Sequence, residues 1–539
     1  MEENTDNTKL TPAMRQYMHF KEQYPGVVLF FRMGDFYETF YEDAKLCSQV
    51  LGIALTCRNK GGENPVPLAG VPYHAVDGYL HKMIKAGHRV AICEQMEDAA
   101  LAKGVVKRDV VRLVTAGTLT EDSLLEERRG NYLAAVCFGR QAAGKGGGAG
   151  AEREPAGLAW VDLSTGQFFA ETVERRYVLD ELVRIRPAEC LLSEEAEDVP
   201  VKFGEQLRDL TGAALTKRPG WVFEGRQGLE MLKKHFGTAS LEGFGFSQAG
   251  AAVAAAGAII DYLNETQKTA LGHILQLRKV VRERFLQLDQ TTLRSLEVER
   301  TIRDHAAAGS LLHSIDKTMT AMGARKLRVW ICYPLNELAE IERRQDAIAE
   351  LVQAEELRGD LRKCFAEVAD IERITTRIST GRAMPRDLLS LGGTLRQLPA
   401  IKKVLDWCSA ELLMQLARQC DTLEATADLI EAAIDPDAGL TCRDGGVIRK
   451  GFDEEVDRLR SLLAEAAPAT IIQAMIPALS HAEYGVAIEA ATEAVSGLLK
   501  PLAAANPIHG TLPGAPQAGS TAADYGLHPL RSGHRPVEK

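Results

Sequence analysis

The sequence predicts a multidomain protein, α/β in its first half and all-α in its second. Three observations point there. The 539 residues suffice for three to four domains. To about residue 262, short apolar runs alternate with stretches of helical periodicity. From 265 to about 443, apolar residues recur at three and four, so that region reads as almost wholly helical. With 45% hydrophobic and 26% charged residues there is ample material for cores.

Bulk properties narrow the function. A net charge of −10 repels nucleic acid, so any DNA binding must come from local basic patches that meet phosphates. Ten cysteines are scattered without a C-x-x-C pair. Cys47, Cys57, Cys93 and Cys137 read as small core residues of a reduced cytoplasmic protein, not as a zinc site or a disulfide frame. The polar, acidic start is no signal peptide, and no 18-residue apolar run exists to span a membrane.

In chain order, Thr11-Pro12 opens a helix that stops at Pro25-Gly26. Val27 to Phe31 is an apolar run that reads as a buried strand, broken by Gly34-Asp35. Phe36, Phe40 and Ala44 then recur at four, with Tyr37 and Tyr41 beside them, which predicts a helix. That places Phe36 and Glu38 in the first turn after a strand-to-helix corner. Two roles fit them. Asp35 and Glu38 can form a capping box while Phe36 packs on Phe40. Alternatively, a flat ring and a carboxylate project together and probe a ligand. Thr56 to Gly62 reads as a polar, basic turn, Pro67 to His74 as a Pro- and Gly-rich loop, Tyr79 to Ala86 as a helix and Arg89 to Cys93 as a strand. Lys103, Lys107, Arg108 and Arg112 surround a further strand, Val110 to Val114. Such a cluster either holds phosphates or keeps a strand edge soluble.

Three motifs in this order, GDFYETFYEDA from Gly34, PLAGVPYH from Pro67 and VAICEQ from Val90, resemble the mismatch-recognition domain of the MutS family of bacterial DNA mismatch repair proteins. The resemblance implies a small mixed α/β mismatch-recognition domain over 1–120, in which Phe36 wedges beside a mispair and stacks on a base while Glu38 hydrogen-bonds that base. Met33, Arg58, Leu68, Ala69 and Arg108 are the implied backbone or groove contacts. Minor-groove wedges kink DNA, and mispaired steps unstack more cheaply than paired ones.

From 130 to 262 a second α/β unit is expected. Tyr132 to Val136, Leu158 to Asp162 and Gln167 to Thr172 read as strands joined by turns, hence antiparallel, followed by a helix from Tyr177 to Arg186. This is similar to the family's connector domain, which has a ribonuclease-H-like fold. Asp162 alone assembles no two-metal nuclease site and reads as a turn residue. Gly139 to Gly146, GRQAAGKG, imitates a phosphate-cradling loop but has Gly146 where a magnesium-holding hydroxyl is required, so it reads as a hairpin loop.

Residues 265–443 resemble the family's helical lever domain. Leu311, Leu312, Ile315, Met319 and Met322, then Ile371, Ile374 and Ile378, then Ile401, Val404 and Leu405, read as packing faces. Residues 444–460 are similar to the start of the clamp. From Ser461 to Lys539 the chain turns Ala-rich and then Pro-, Gly- and His-rich, an off-family tail expected to arise from a frameshift, a wrong gene model or an assembly end and to be partly disordered. The P-loop ATPase expected next in the family is not found in the sequence.

The reading implied is a binder of mismatched or looped-out bases in double-stranded DNA, with no catalytic site, metal or cofactor in this chain. ATP and Mg²⁺ are implied for the full-length family, as are MutL, a sliding clamp and a homodimer, this chain being expected as a monomer in the cytoplasm. The alternatives are a DNA-stimulated ATPase like the longer relatives, and a junction-binding relative that does not read mismatches.

Overall fold

A computed structural model describes residues 11–58, 65–97, 104–138, 154–195, 199–268, 271–439, 445–465, 483 and 486–487. It divides into two compact units. One comprises Met1–Glu126, Asn131–Leu241 and Phe246–Ala270, the other Glu127–Gly130, Glu242–Gly245 and Leu271–Lys539.

The first unit begins with helix α1 (Pro12–Gln23), whose proline occupies the first turn. Strands β1 (Val28–Met33), β2 (Phe36–Phe40), β3 (Thr56–Arg58), β4 (Val66–Pro72), β5 (Val90–Gln95) and β6 (Arg108–Val114) form one mixed sheet in the order β3-β4-β2-β1-β5-β6. Helix α1 covers one face, packing Met14, Tyr17 and Phe20 on Leu29, Phe31 and Phe40. Helices α2 (Tyr41–Leu51) and α3 (Val76–Lys85) cover the other, where Ala44, Cys47, Leu80 and Met83 meet Val28, Phe30 and Tyr37. Asp43 joins these layers. Its buried carboxylate accepts from the Tyr17 hydroxyl, the Lys21 ammonium and the Leu29 amide, each at 2.9 Å.

Four expectations need correction here. Phe36 to Phe40 is a strand, and the helix starts only at Tyr41, with Phe40 as its N-cap residue and no capping box at Asp35. A spacing of four fits both a helical turn and two pleats. The alternation of buried Tyr37 and Thr39 with exposed Phe36, together with Gly34 at φ +60°, selects a hairpin instead. The Pro- and Gly-rich loop is β4, and the basic turn begins as edge strand β3. Cys57 lies exposed on that edge and is not a core residue.

The first unit's second sheet uses β7 (Tyr132–Cys137), β8 (Pro155–Asp162), β9 (Gln167–Glu174), β10 (Glu189–Ser193) and β11 (Ala214–Arg218), in the order β11-β10-β7-β8-β9. The first three are antiparallel, as expected, and β10 and β11 run parallel to β7. Helices α4 (Val178–Ile185), α5 (Phe203–Thr211), α6 (Gly225–Phe236) and α7 (Ala251–Gln267) complete it. The Ala-rich α7 is buried along most of its length, and a side chain at Gly257 would collide with the Gly228 backbone of α6 at 2.2 Å. Asp162 is structural: buried, it accepts from the Ser164 amide and hydroxyl and from the Asn131 amide. Gly139 to Gly146 lies outside the described residues.

The second unit is mainly helical, but its regular helices begin only at Gln290. Before them, Leu277–Lys279 is a strand. Helices α8 (Gln290–Ser295), α9 (Leu311–Ile315), α10 (Ala321–Cys332), α11 (Leu338–Gln353), α12 (Glu355–Ala366), α13 (Ile371–Ser379), α14 (Pro385–Leu395), α15 (Leu398–Leu405), α16 (Glu411–Gln419), α17 (Glu424–Ala433) and α18 (Glu454–Glu465) follow. One core gathers Ile374, Ile378, Leu391, Ile430 and Ile448, and another gathers Ala347, Leu361, Ile401, Leu405 and Leu413. The Leu311, Ile315 and Met319 face, expected to pack, is exposed. Most of the stretch after Ser461 lies outside the described residues. Within it, Glu483 is buried and accepts from the Val447 amide and the Arg460 guanidinium, so at least that residue belongs to this core.

Candidate nucleic-acid interface

The β1–β2 hairpin positions the candidate residues. Its register sets Met33 opposite Phe36 and Phe31 opposite Glu38. On the other side Glu38 pairs with Gly70, Thr39 with Ala69 and Phe40 with Leu68. Thr56 pairs with Leu68, and Arg58 with Val66. Because side chains alternate across a sheet, Met33, Phe36, Glu38, Leu68, Arg58 and Arg108 fall on one face. Ala69 falls on the other, where it is buried at 1% exposure and has no free surface for a ligand. Helix α1 covers the Phe31 and Phe40 end of the shared face and leaves Phe36 47% exposed.

The ring of Phe36 stands beside Gly70, where an added Cβ would lie 3.7 Å from its Cδ1 and 3.8 Å from the Glu38 Cγ. Both distances are ordinary van der Waals contacts, so ring and carboxylate stem lie side by side over Gly70. Burial pushes the Glu38 carboxyl above its ordinary range, against the opposing pull of Arg58 and Arg108. Glu38 therefore takes up a proton more readily than an exposed glutamate does.

The basic cluster disperses on folding. Arg108 is buried, with its guanidinium donating to Arg32 O at 2.8 Å and Val106 O at 3.1 Å and lying 5.0 Å from the Phe31 ring centroid. Its charge stays near Glu38, but its donors are engaged by the protein. Arg112 is buried and bonded to Glu121 and to Thr118 O. Lys107 is exposed, and Lys103 lies outside the described residues. Arg58, half-buried on the edge strand, is the candidate cation of this face with the least protein contact.

One contributor went unnoticed in the sequence. Arg32 donates to Gly34 O at 2.5 Å and stacks on Tyr73, 3.8 Å from its ring centroid, while the Tyr73 amide donates to Asp35 O at 3.0 Å. These contacts tie the hairpin turn to the end of β4, so Phe36 sits on a braced tip. The hairpin register pairs Arg32 with Tyr37, but the brace needs Tyr73 from the end of β4, which no pattern local to the hairpin reveals.

Family models described as MutS domain I, domain II and domain III match residues 11–123, 131–275 and 291–498. The chain belongs to the MutS family. It is 41% identical over 456 residues to the DNA mismatch repair protein MutS of Chlorobaculum tepidum and 42% identical over 462 residues to that of Symbiobacterium thermophilum. In both cases 85% of this chain is covered, and it spans about half, 51%, of the relative's length. The MutS domain III match extends to 498, beyond Ser461, where the departure from the family was expected. No helix among the described residues is long and apolar enough to cross a membrane.

Proposed function

We propose that this chain binds mismatched or looped-out bases in duplex DNA and so contributes the recognition step of mismatch repair. The observation that carries the proposal is the exposed Phe36 ring on a braced hairpin tip, with the half-buried Glu38 two residues along the same face. An apolar ring entering a base step loses water and gains stacking, and a mispaired step opens at lower cost. Glu38, whose carboxyl is already raised, takes a proton more readily still beside phosphates and then donates to a base acceptor. Met33 and Leu68 extend the apolar contact, and Arg58 meets backbone phosphate. Arg108 acts through its field and by supporting Phe31 and Met33.

On the same reading, the domains are a recognition domain at 1–120, a connector at 130–262, a lever at 265–443 and a clamp that begins at 444, the family match running on to 498. Three antiparallel strands with two parallel strands beyond the first support a ribonuclease-H-like connector. MutL and a sliding clamp are the partners this family reading carries, in the cytoplasm; the homodimer belongs to the full-length family, and this chain is a monomer. ATP and Mg²⁺ enter only through the family. The sequence at Gly139 to Gly146 does not fit them, since Gly146 offers no hydroxyl, so no residue is assigned to either.

A gel-shift competition between a G·T duplex and its matched twin tests the proposal. Phe36→Ala is expected to remove about 1–3 kcal/mol of stacking and with it most of the preference for the mismatch. Equal preference ratios for wild type and variant would refute the wedge.

A further inference from the structure

In the second unit, the cations of α10 are treated unequally. Arg325 is held by Asp370 and Glu372, each at 2.6 Å, and Arg328 by Glu299 at 2.6 Å. Lys326 lies between them in sequence and is half-buried, yet among the described residues no carboxylate hydrogen-bonds it. Its ammonium lies 5.8 Å from the Trp330 ring centroid, one helical turn along. Arg344, from α11, lies over the same ring at 3.9 Å. Arg278, from the short strand before the helices, acts on Lys326 as a further positive charge.

The carboxylates nearby are already committed. Glu372 pairs with Arg325, and Glu340 pairs with Arg343 at 3.0 Å. The Trp330 indole Nε1 is buried without an acceptor. Burial, then Arg344 and Arg278, pull the Lys326 ammonium down to about 8, against the opposing pull of Glu372. Burial also lowers Arg278 and Arg344. Half-buried positive charge left in excess destabilises the fold unless something negative joins it. A stacked guanidinium retains in-plane donors suited to an oxyanion.

We propose that Lys326 and Arg344, which share the Trp330 ring, form a binding site for a phosphate group. The phosphate accepts from the lysine and the guanidinium edges, and it belongs either to a nucleic-acid backbone or to a free phosphate or phosphate ester. The site shares no residue with the Phe36 face and stands whether or not that face reads mismatches.

Inorganic phosphate titrated into the full chain, followed by calorimetry and by thermal melting, tests this. Phosphate is expected to bind wild type and raise its melting temperature. Lys326→Met and Arg344→Gln should each weaken binding about tenfold, since each removes a charged hydrogen bond. Arg396→Gln removes the same charge from a different, surface ion-pair cluster and should leave binding unchanged. Binding should weaken as pH rises through 8, where Lys326 loses its proton. Lys326→Met, folded and without phosphate, should melt higher than wild type. Displacement of phosphate by matched duplex assigns the ligand to nucleic acid, and failure to displace assigns it to a free phosphate compound. The proposal is overturned if phosphate leaves wild-type heat and melting unchanged, or if the variants bind it as wild type does.

Discussion

Glu38 in the first unit and Lys326 in the second are both half-buried titratable groups with arginines for neighbours, and they differ in sign. For Glu38 the arginines offset the cost of burial, so its carboxyl rises only against resistance. For Lys326 burial and arginines act together, and the ammonium falls to about 8. A group among opposite charges is poised to trade a proton. One among like charges is poised to take a counter-ion. Asp43 supplies the reference state, a carboxylate with each donor already in place.

The sharpest way to break this comparison is to remove the reference. Asp43→Ala leaves the Tyr17 hydroxyl, the Leu29 amide and a partly exposed Lys21 without their acceptor, and should cost about 3 kcal/mol in urea unfolding. A loss well below 1 kcal/mol would show that the carboxylate contributes little beyond what water supplies.

Next in size is Lys326→Met, expected to raise stability at neutral pH by about 1 kcal/mol. The sign follows from proton linkage. Folded Lys326 releases its proton near 8 and the unfolded residue near its ordinary 10.5. Between those values the unfolded state holds more protons, so wild type gains stability as pH rises and its deficit against Lys326→Met should close. A deficit constant from pH 7 to 10 would contradict the crowding of charge.

The smallest effect concerns Glu38. Preference of wild type for a mismatched duplex should grow as pH falls and more of the carboxyl is protonated. Glu38→Gln carries a permanent donor, so its preference should vary with pH by less than that of wild type. Parallel pH profiles for the two would exclude proton donation by Glu38.

Much of the fold was legible where one period dominates. The apolar run of β1, the turn-separated β7, β8 and β9, and the Pro-opened α1 carry little ambiguity. The hairpin strand was not, because Phe36 and Phe40 are compatible with both periods and only the burial of Tyr37 and Thr39 decides. Periodicity also marks a face without saying what covers it, which is why Leu311, Ile315 and Met319 read as core and lie exposed. At the candidate site, motifs located Phe36 and Glu38. Sheet parity, invisible until register is known, removed Ala69, and hydrogen bonding to the distant Arg32 carbonyl and the nearby Val106 carbonyl engaged Arg108. The Lys326 cluster depends on which cations Glu372, Asp370 and Glu299 choose, a competition no local pattern records.

The pleat of β2 makes the outward-facing set a matter of odd and even. One residue inserted between Glu38 and Thr39, with Thr39 and Phe40 still in place, would turn Tyr37 toward solvent and send Phe36 and Glu38 inward. A second inserted residue would restore the original display. Length changes in this strand are therefore tolerated in pairs or not at all.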